Sequence, residues 1–203
     1  GRFDAGMLYY TPQIWCSDNT DAIERIRIQH GTSFGYPISA VGSHVSAAPN
    51  HQTGRVTELK TRGVVAMAGS FGYELDLSLL TEEEKAEVKE QIKDYKKYQE
   101  LIYTGDYYRL HTPGKDTEIA AWVFVSQDRS EALLNIVSLD THGNEPANYV
   151  RMRGLDPEKP YLCESTGKIY SGAALMYAGY PVPVVMGEYK TWQVHLTIEK
   201  ESA

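Results

Sequence analysis

The residues of this chain whose types and spacing suggest chemistry begin in the run "QIWCSDNTDAIERI", residues 13 to 26. Four residues that serve as helix caps (Ser17, Asp18, Asn19, Thr20) stand in a row between an apolar run and an amphipathic one. A helix needs one cap oxygen for its orphan N–H groups, so the row holds more acceptors than capping requires. Asp18 follows the strand-like run "YYTPQIW" and precedes a helix starting near Thr20. On pattern alone it reads first as a cap or loop acid. If the chain belongs to a parallel barrel, a carboxylate at that strand end points at a bound ligand. Asp21, with Glu24 three residues on, reads as a structural first-turn acid. Arg2 and Asp4 in "GRFD" fit either a ligand clamp, using the planar fork of the guanidinium, or a surface ion pair. His44 and His51 lie seven residues apart with no third donor beside them, too few ligands for zinc. Neither a glycine-rich phosphate loop nor a GxSxG elbow is present in the sequence.

The elements that must position these residues divide the chain in two. Over residues 81 to 105, "TEEEKAEVKEQIKDYKKYQELIYTG" reads as a helix. Thr81 and Glu84 form a capping box, acids fill the first turn, and Gly105 supplies a left-handed stop. Its inward stripe is expected at Val88, Ile92, Tyr95, Gln99 and Ile102. Upstream, "GTSFGYP" (31 to 37) and "GSFGYE" (69 to 74) suggest a repeat. Each copy follows a helix-like stretch (about 20 to 30, then 56 to 68) and precedes a strand-like one. Gly31 and Gly69 stand where C-cap glycines belong. Units of about 40 residues in the order strand, helix, strand, helix, strand, helix are those of a parallel sheet or barrel. Three such units cannot close an eight-stranded barrel, and the expectation is that they are its last three.

After residue 105 the texture changes. The segments 117–125, 131–139, 147–155 and 190–199 are short and rich in β-branched and aromatic residues, with turn clusters such as "SQDRS" and "LDPEKP" between. They predict an antiparallel β-sandwich. The expected fold class is therefore α/β plus all-β, with residues 1–105 as the end of a (β/α)8 barrel and 106–203 as an antiparallel β-sandwich domain.

Composition limits the partners. With 203 residues and 42% apolar content the chain can build a core. A net charge of −7 with scattered basic residues argues against nucleic acid or an anionic membrane. The longest apolar stretch, 172 to 187, is broken by Pro181 and Pro183 and falls short of a membrane span. Two cysteines far apart, Cys16 and Cys163, predict free, half-buried thiols and a reducing, cytoplasmic setting. Fifteen tyrosines and three tryptophans suit sugar stacking but equally fill cores. The start at Gly1-Arg2-Phe3, without methionine, predicts a piece of something longer.

Together, "GRFDAGMLYYTPQIWCSDNTDAIERIRIQHGTSFGYP", "GSHVSAAPNHQTGR" and "FGYELDLS", in that order, resemble the C-terminal part of the bacterial α-galactosidases of glycoside hydrolase family 36. The likeness is strongest over residues 1 to 80. It implies a retaining hydrolase of terminal α-linked galactose, acting on melibiose- and raffinose-type substrates without a cofactor or metal. It implies that Asp18, the aspartate of the "SDN" motif, is the general acid/base, with its pKa raised toward the working pH by its pocket. Arg2 matches the arginine of the family's C-x-x-G-x-x-R pattern. The pattern's cysteine and glycine fall before residue 1, and no K-W-D triplet of the nucleophile type occurs in this sequence. A retaining glycosidase needs two carboxyl groups about 5 Å apart. The chain alone is therefore expected to be inactive and poorly soluble, and to work with the N-terminal part of the same enzyme in a homo-oligomer. A different class of reading is a non-catalytic carbohydrate-binding or subunit-assembly module built on the tyrosine-rich β-domain.

Overall fold

The computed structural model describes residues 4–114, 118–144 and 147–198, and the chain divides into two compact units, Gly1–Tyr103 and Thr104–Ala203. In the first, helices α1 (Ala22–Thr32), α2 (Leu59–Ala66) and α3 (Glu82–Thr104) alternate with strands β1 (Gly42–Ser46) and β2 (Ser70–Glu74). The two strands pair in parallel, with His44 opposite Gly72 and Ser46 opposite Glu74. The segment before α1 joins the same sheet through one parallel bridge, Ile14 to Val41, in which Ile14 N donates to Ala40 O and Gly42 N to Ile14 O. These are three successive βα units of a parallel barrel.

Side chains alternate across each strand, and this assigns the two faces. Val45 packs with Leu59, Ala66 and Val88 of the helices, with Phe71 and Tyr73 beside them. Gly42, His44, Ser46 and Gly72 therefore belong to the opposite face. The capping box of α3 forms as expected: Thr81 N donates to Glu84 Oε2 at 2.9 Å and Glu84 N to Thr81 Oγ1 at 3.2 Å.

Four local expectations need correction. The run "YYTPQIW" is a 3-10 turn over Ala5–Tyr9 followed by the single bridge at Ile14, because Pro12 has no N–H for a longer ladder. The two "GxxFGY"-like copies differ in conformation: the first runs from the last two residues of α1 into turns, while the second, after Gly69, is strand β2 itself. Neither Gly31 nor Gly69 is a left-handed C-cap; the caps of α1 and α2 are Ser33 and Met67, both with right-handed helical backbone. Gly69 is instead required by close approach, since a Cβ there would sit 2.4 Å from Val41 O. The stripe of α3 is also rotated. Its buried residues are Val88, Gln91, Tyr98, Leu101 and Ile102, while Ile92 and Gln99 are exposed. Gln91 takes the buried place because both ends of its amide are satisfied. Its Nε2 donates to Leu59 O at 3.0 Å and its Oε1 accepts from Tyr73 Oη at 2.8 Å. Gly63 of α2 leaves it room, as a Cβ there would come within 2.5 Å of that amide.

The second unit is built on a six-stranded antiparallel sheet in the order β3-β4-β5-β10-β7-β8. Its strands are β3 (Asp106–His111), β4 (Ile119–Val125), β5 (Glu131–Ser138), β7 (Pro160–Cys163), β8 (Ile169–Ser171) and β10 (Thr191–Ile198). A two-stranded ribbon, β6 (Tyr149–Val150) with β9 (Tyr180–Pro181), and the short helix α4 (Gly172–Tyr177) add to it. Val123, Leu134, Ile136 and Leu196 of the sheet share one core with Val150, Met152, Leu155 and Leu175. Residues 147–155 keep the alternation of a strand, but only two of them join a ladder. Met152 N bonds instead to Leu175 O at 3.0 Å. The "SQDRS" turn joins β4 to β5. Asp128 Oδ1 accepts from Ser126 Oγ, Ser130 N and Ser130 Oγ, and Arg129 takes a left-handed φ of 60°. These bonds, led by that from Ser130 N, hold the Asp128 carboxyl down at about 2.

Two glycines test this packing. A Cβ on Gly172 would lie 1.9 Å from Asp156 O, whereas Gly35 has nothing within 4 Å. Gly172→Ala and Gly69→Ala should each lower stability by about 2–3 kcal/mol, since backbone cannot yield as a flexible side chain does. Gly35→Ala should stay within about 0.5 kcal/mol. Denaturant midpoints that coincide for all three would contradict the close approaches described.

Candidate active site

The loop before α1 shows how the surplus of capping residues is used. Ser17 Oγ accepts from Asn19 N at 3.1 Å, Asn19 Oδ1 from Asp21 N at 3.0 Å, and Asp21 Oδ1 from Ile23 N and Glu24 N at 3.0 Å. Ser17 and Asn19 make successive turns of the kind Ser and Asn favour, and Asp21 is the N-cap of α1. Asp21 was expected as a first-turn acid; the structure shifts it to the cap because α1 starts at Ala22. Its side chain is fully buried and also pairs with Arg55 and accepts from Thr53 Oγ1 at 2.6 Å.

Alternating with these residues, Asp18 and Thr20 project elsewhere. Asp18 is exposed, and its Oδ1 accepts a hydrogen bond from Trp15 Nε1 at 2.8 Å. Among the described residues its carboxylate caps no helix. Thr20 is buried, its Oγ1 accepting from Asn50 Nδ2 at 3.1 Å.

The backbone under Asp18 is held by side chains from three directions. Buried Arg25 of α1 donates to Ser17 O at 3.2 Å and to Gly42 O at 2.6 Å, tying the loop to β1. Gln52 Nε2 reaches Asp18 O at 3.3 Å, and Ser46 Oγ reaches Thr20 O at 2.9 Å. Gln29 completes the buried network, receiving Arg25 Nε and Ser43 Oγ on Oε1 and donating from Nε2 to Val65 O. The 50–55 turn that supplies Gln52 is itself organised by Asn50, whose Oδ1 accepts from the N–H groups of Gln52 and Thr53. A charged guanidinium buried among carbonyls meets the rule that such groups be hydrogen-bonded.

His44 stands on the same face as Asp18's neighbour. Its ring lies 4.7 Å from that of Trp15 at 37°. Both border a small cleft with Thr20 and Arg25. Burial lowers the His44 pKa below the ordinary histidine value; Glu74 opposes the shift and Arg25 adds to it. His51 is exposed in the following turn, outside this cluster. Asp4 is exposed and caps the 3-10 turn by accepting from Gly6 N at 2.8 Å. Arg2 lies outside the described residues. Cys16 is partly buried, Cys163 is buried, and both are free thiols.

Sequence reasoning passed over Trp15, Arg25 and Gln52. Arg25 and Gln29 sit four apart on the buried face of an amphipathic helix, a placement that signals a satisfied network. Trp15 carries a single N–H donor three residues before the exposed acid, within one turn's reach.

Residues 1–105 match the family model Melibiase, and residues 119–196 match the Glycosyl hydrolase family 36 C-terminal domain. The chain is 60% identical over 202 residues to the bifunctional alpha-galactosidase/sucrose kinase AgaSK of Mediterraneibacter gnavus, covering all of this chain and 22% of that protein. It is 56% identical over 183 residues to alpha-galactosidase AgaA of Geobacillus stearothermophilus, covering 90% of this chain and 25% of that one. Among solved structures, the galactosidase domain of AgaSK superposes with a TM-score of 0.95, at 60% identity and with 98% of this chain and 28% of that chain covered. A variant of Geobacillus stearothermophilus AgaA in complex with raffinose gives a TM-score of 0.94 at 50% identity, covering 98% of this chain and 27% of that one. The chain thus spans about a quarter of the length of the relatives it matches.

The division of labour between the two aspartates is measurable. Asp21→Ala removes a cap and leaves Arg55 without its buried carboxylate, and should destabilise by about 3 kcal/mol, above the ~1 kcal/mol of a simple cap. Asp18→Asn should change stability by less than about 0.5 kcal/mol. Urea unfolding of the two variants checks this, and equal losses would refute it.

Proposed function

The chain belongs to the melibiase family of glycoside hydrolases, and from this we propose that it is the acid/base-bearing part of a retaining α-galactosidase, with Asp18 as general acid/base. The observation that carries the reading is the state of that carboxylate. It is exposed at the end of a parallel-strand segment, takes no part in capping, and uses one oxygen for Trp15. Among the described residues Oδ2 accepts no hydrogen bond, so it is available to a ligand.

In such a mechanism a second carboxylate attacks the anomeric carbon while Asp18 delivers its proton to the departing glycosidic oxygen. Asp18 then takes a proton from the water that releases the sugar. The second carboxylate would come from the longer polypeptide, as the matched relatives are about four times the length of this chain. Arg2, matched to the family's sugar-contacting pattern, is proposed as a substrate-binding residue on that likeness alone. The substrates are terminal α-D-galactosides of the melibiose and raffinose type, which the relatives' names and the raffinose complex support.

Residues 1–105 would form the barrel part and 106–203 the β-domain, a division supported by the two compact units and the two family models. A reducing, cytoplasmic setting is supported by the two free thiols. Among the described residues no helix is long and apolar enough to cross a membrane. Homo-oligomerisation of the whole enzyme rests on the family likeness.

The test uses the full-length enzyme carrying this segment. Asp18→Asn should reduce turnover of melibiose by about 10²–10⁴-fold, the usual worth of general acid–base help, with the thermal unfolding profile unchanged. Retained turnover would remove Asp18 from the acid/base role.

A further inference from the structure

We infer that Trp15 is the positioning residue of the acid/base carboxyl: by donating its indole N–H to Oδ1 it assigns the transferable proton of Asp18 to Oδ2. The inference rests on the reading of Asp18 above.

The geometry is one donor, one acceptor and a buttress. The indole nitrogen can only donate, so the oxygen it meets at 2.8 Å must be an acceptor. In the protonated carboxyl that oxygen is the carbonyl one, and the hydrogen is left on Oδ2. As the glycosidic C1–O bond breaks, its electron pair goes to the leaving oxygen, which takes the proton from Oδ2. Asp18 becomes a carboxylate whose Oδ1 still holds the Trp15 N–H. In the second half, water gives a proton to Oδ2 while its oxygen bonds to C1 and displaces the enzyme's carboxylate nucleophile. The same donor therefore serves both halves and does not move.

The indole needs its own support, because Trp15 is 47% exposed and sits on a segment joined to the sheet by one bridge. His44 supplies it. The imidazole packs against the indole at a tilt of 37° and lies over Gly72, where a Cβ would come 2.8 Å from His44 Cδ2. On the other side, a Cβ on Gly42 would lie 2.9 Å from Gln13 Nε2 and 3.4 Å from Trp15 Cε3. Two glycines on the inner face thus make the space in which a histidine and a tryptophan pack together, and this packing aims one N–H at Asp18. The glycine of "FGYE", unexplained as a repeat, has its reason here.

A donor that positions an acid matters in proportion to how much acid help the leaving group needs. The experiment compares Trp15→Phe with the unaltered full-length enzyme on melibiose, whose sugar leaves as a poor leaving group, and on 4-nitrophenyl α-galactoside, whose phenolate leaves readily. The ring is kept and the N–H lost, so kcat on melibiose should fall about 10- to 100-fold, a fraction of the whole acid–base contribution. On the nitrophenyl substrate it should fall less than about 3-fold at the glycosylation step, with the unfolding temperature unchanged. Equal losses on the two substrates, or none on either, would overturn the inference. If Trp15→Phe does not fold, His44→Leu, which removes the packed ring but no group bonded to Asp18, must show the same asymmetry, and equal effects there overturn it as well. Asp18→Asn runs in parallel. If it also lacks the leaving-group dependence, the acid/base reading itself has failed; if it shows the dependence while Trp15→Phe does not, only the inference about Trp15 falls.

Discussion

The N–H groups at the start of α1 must find acceptors, and one residue answers for them. Asp21, buried and paired with Arg55, accepts from Ile23 N and Glu24 N, so no other carboxylate in the loop is drawn into capping. Everything distinctive about Asp18 follows from that. A carboxylate bonded to backbone amides at a helix start is turned toward the helix. Asp18, three residues earlier, is not, and among the described residues its carboxylate is met by one side chain, Trp15, that can only donate.

The same economy runs through the scaffold. The loop carrying Asp18 has no ladder of its own, yet its carbonyls at residues 17, 18 and 20 are each met by a side chain, from Arg25, Gln52 and Ser46. Those three residues come from a helix, a turn and a strand. Small residues mark where chain segments approach one another: Gly69 against Val41, Gly63 against Gln91, Gly42 against the 13–15 segment, Gly72 under His44.

How much of this could be read from the sequence depended on whether the signal was local. The capping box of α3, the β-branched and aromatic runs of β4, β5 and β10, and the turn at "SQDRS" carry their signal within a few residues, and each is legible. The rotated stripe of α3 was not, because Gln91 outranks Ile92 only once Gly63, Leu59 and Tyr73 are beside it. Gly69 misled for a similar reason, since a glycine after a helical stretch signals either a left-handed cap or a tight contact, and local sequence does not separate them; Gly31 lies inside α1 with open space around it. Strand β3 and the β7–β8 hairpin carry mixed polar and aromatic residues that suit loops equally well. In the site, the motif residue Asp18 stood out by its surplus among capping residues. Trp15 and His44 did not, because their meaning depends on a packing contact between segments almost 30 positions apart.

The carbonyl-directed bonds under residue 18 involve main-chain atoms that every amino acid shares. The mounting is therefore indifferent to what is mounted: the position behaves as a socket whose occupant can be exchanged while the frame stays put. A lineage, or an engineer, can try a different functional group at that rim at little cost to folding, so chemistry here can diverge faster than architecture.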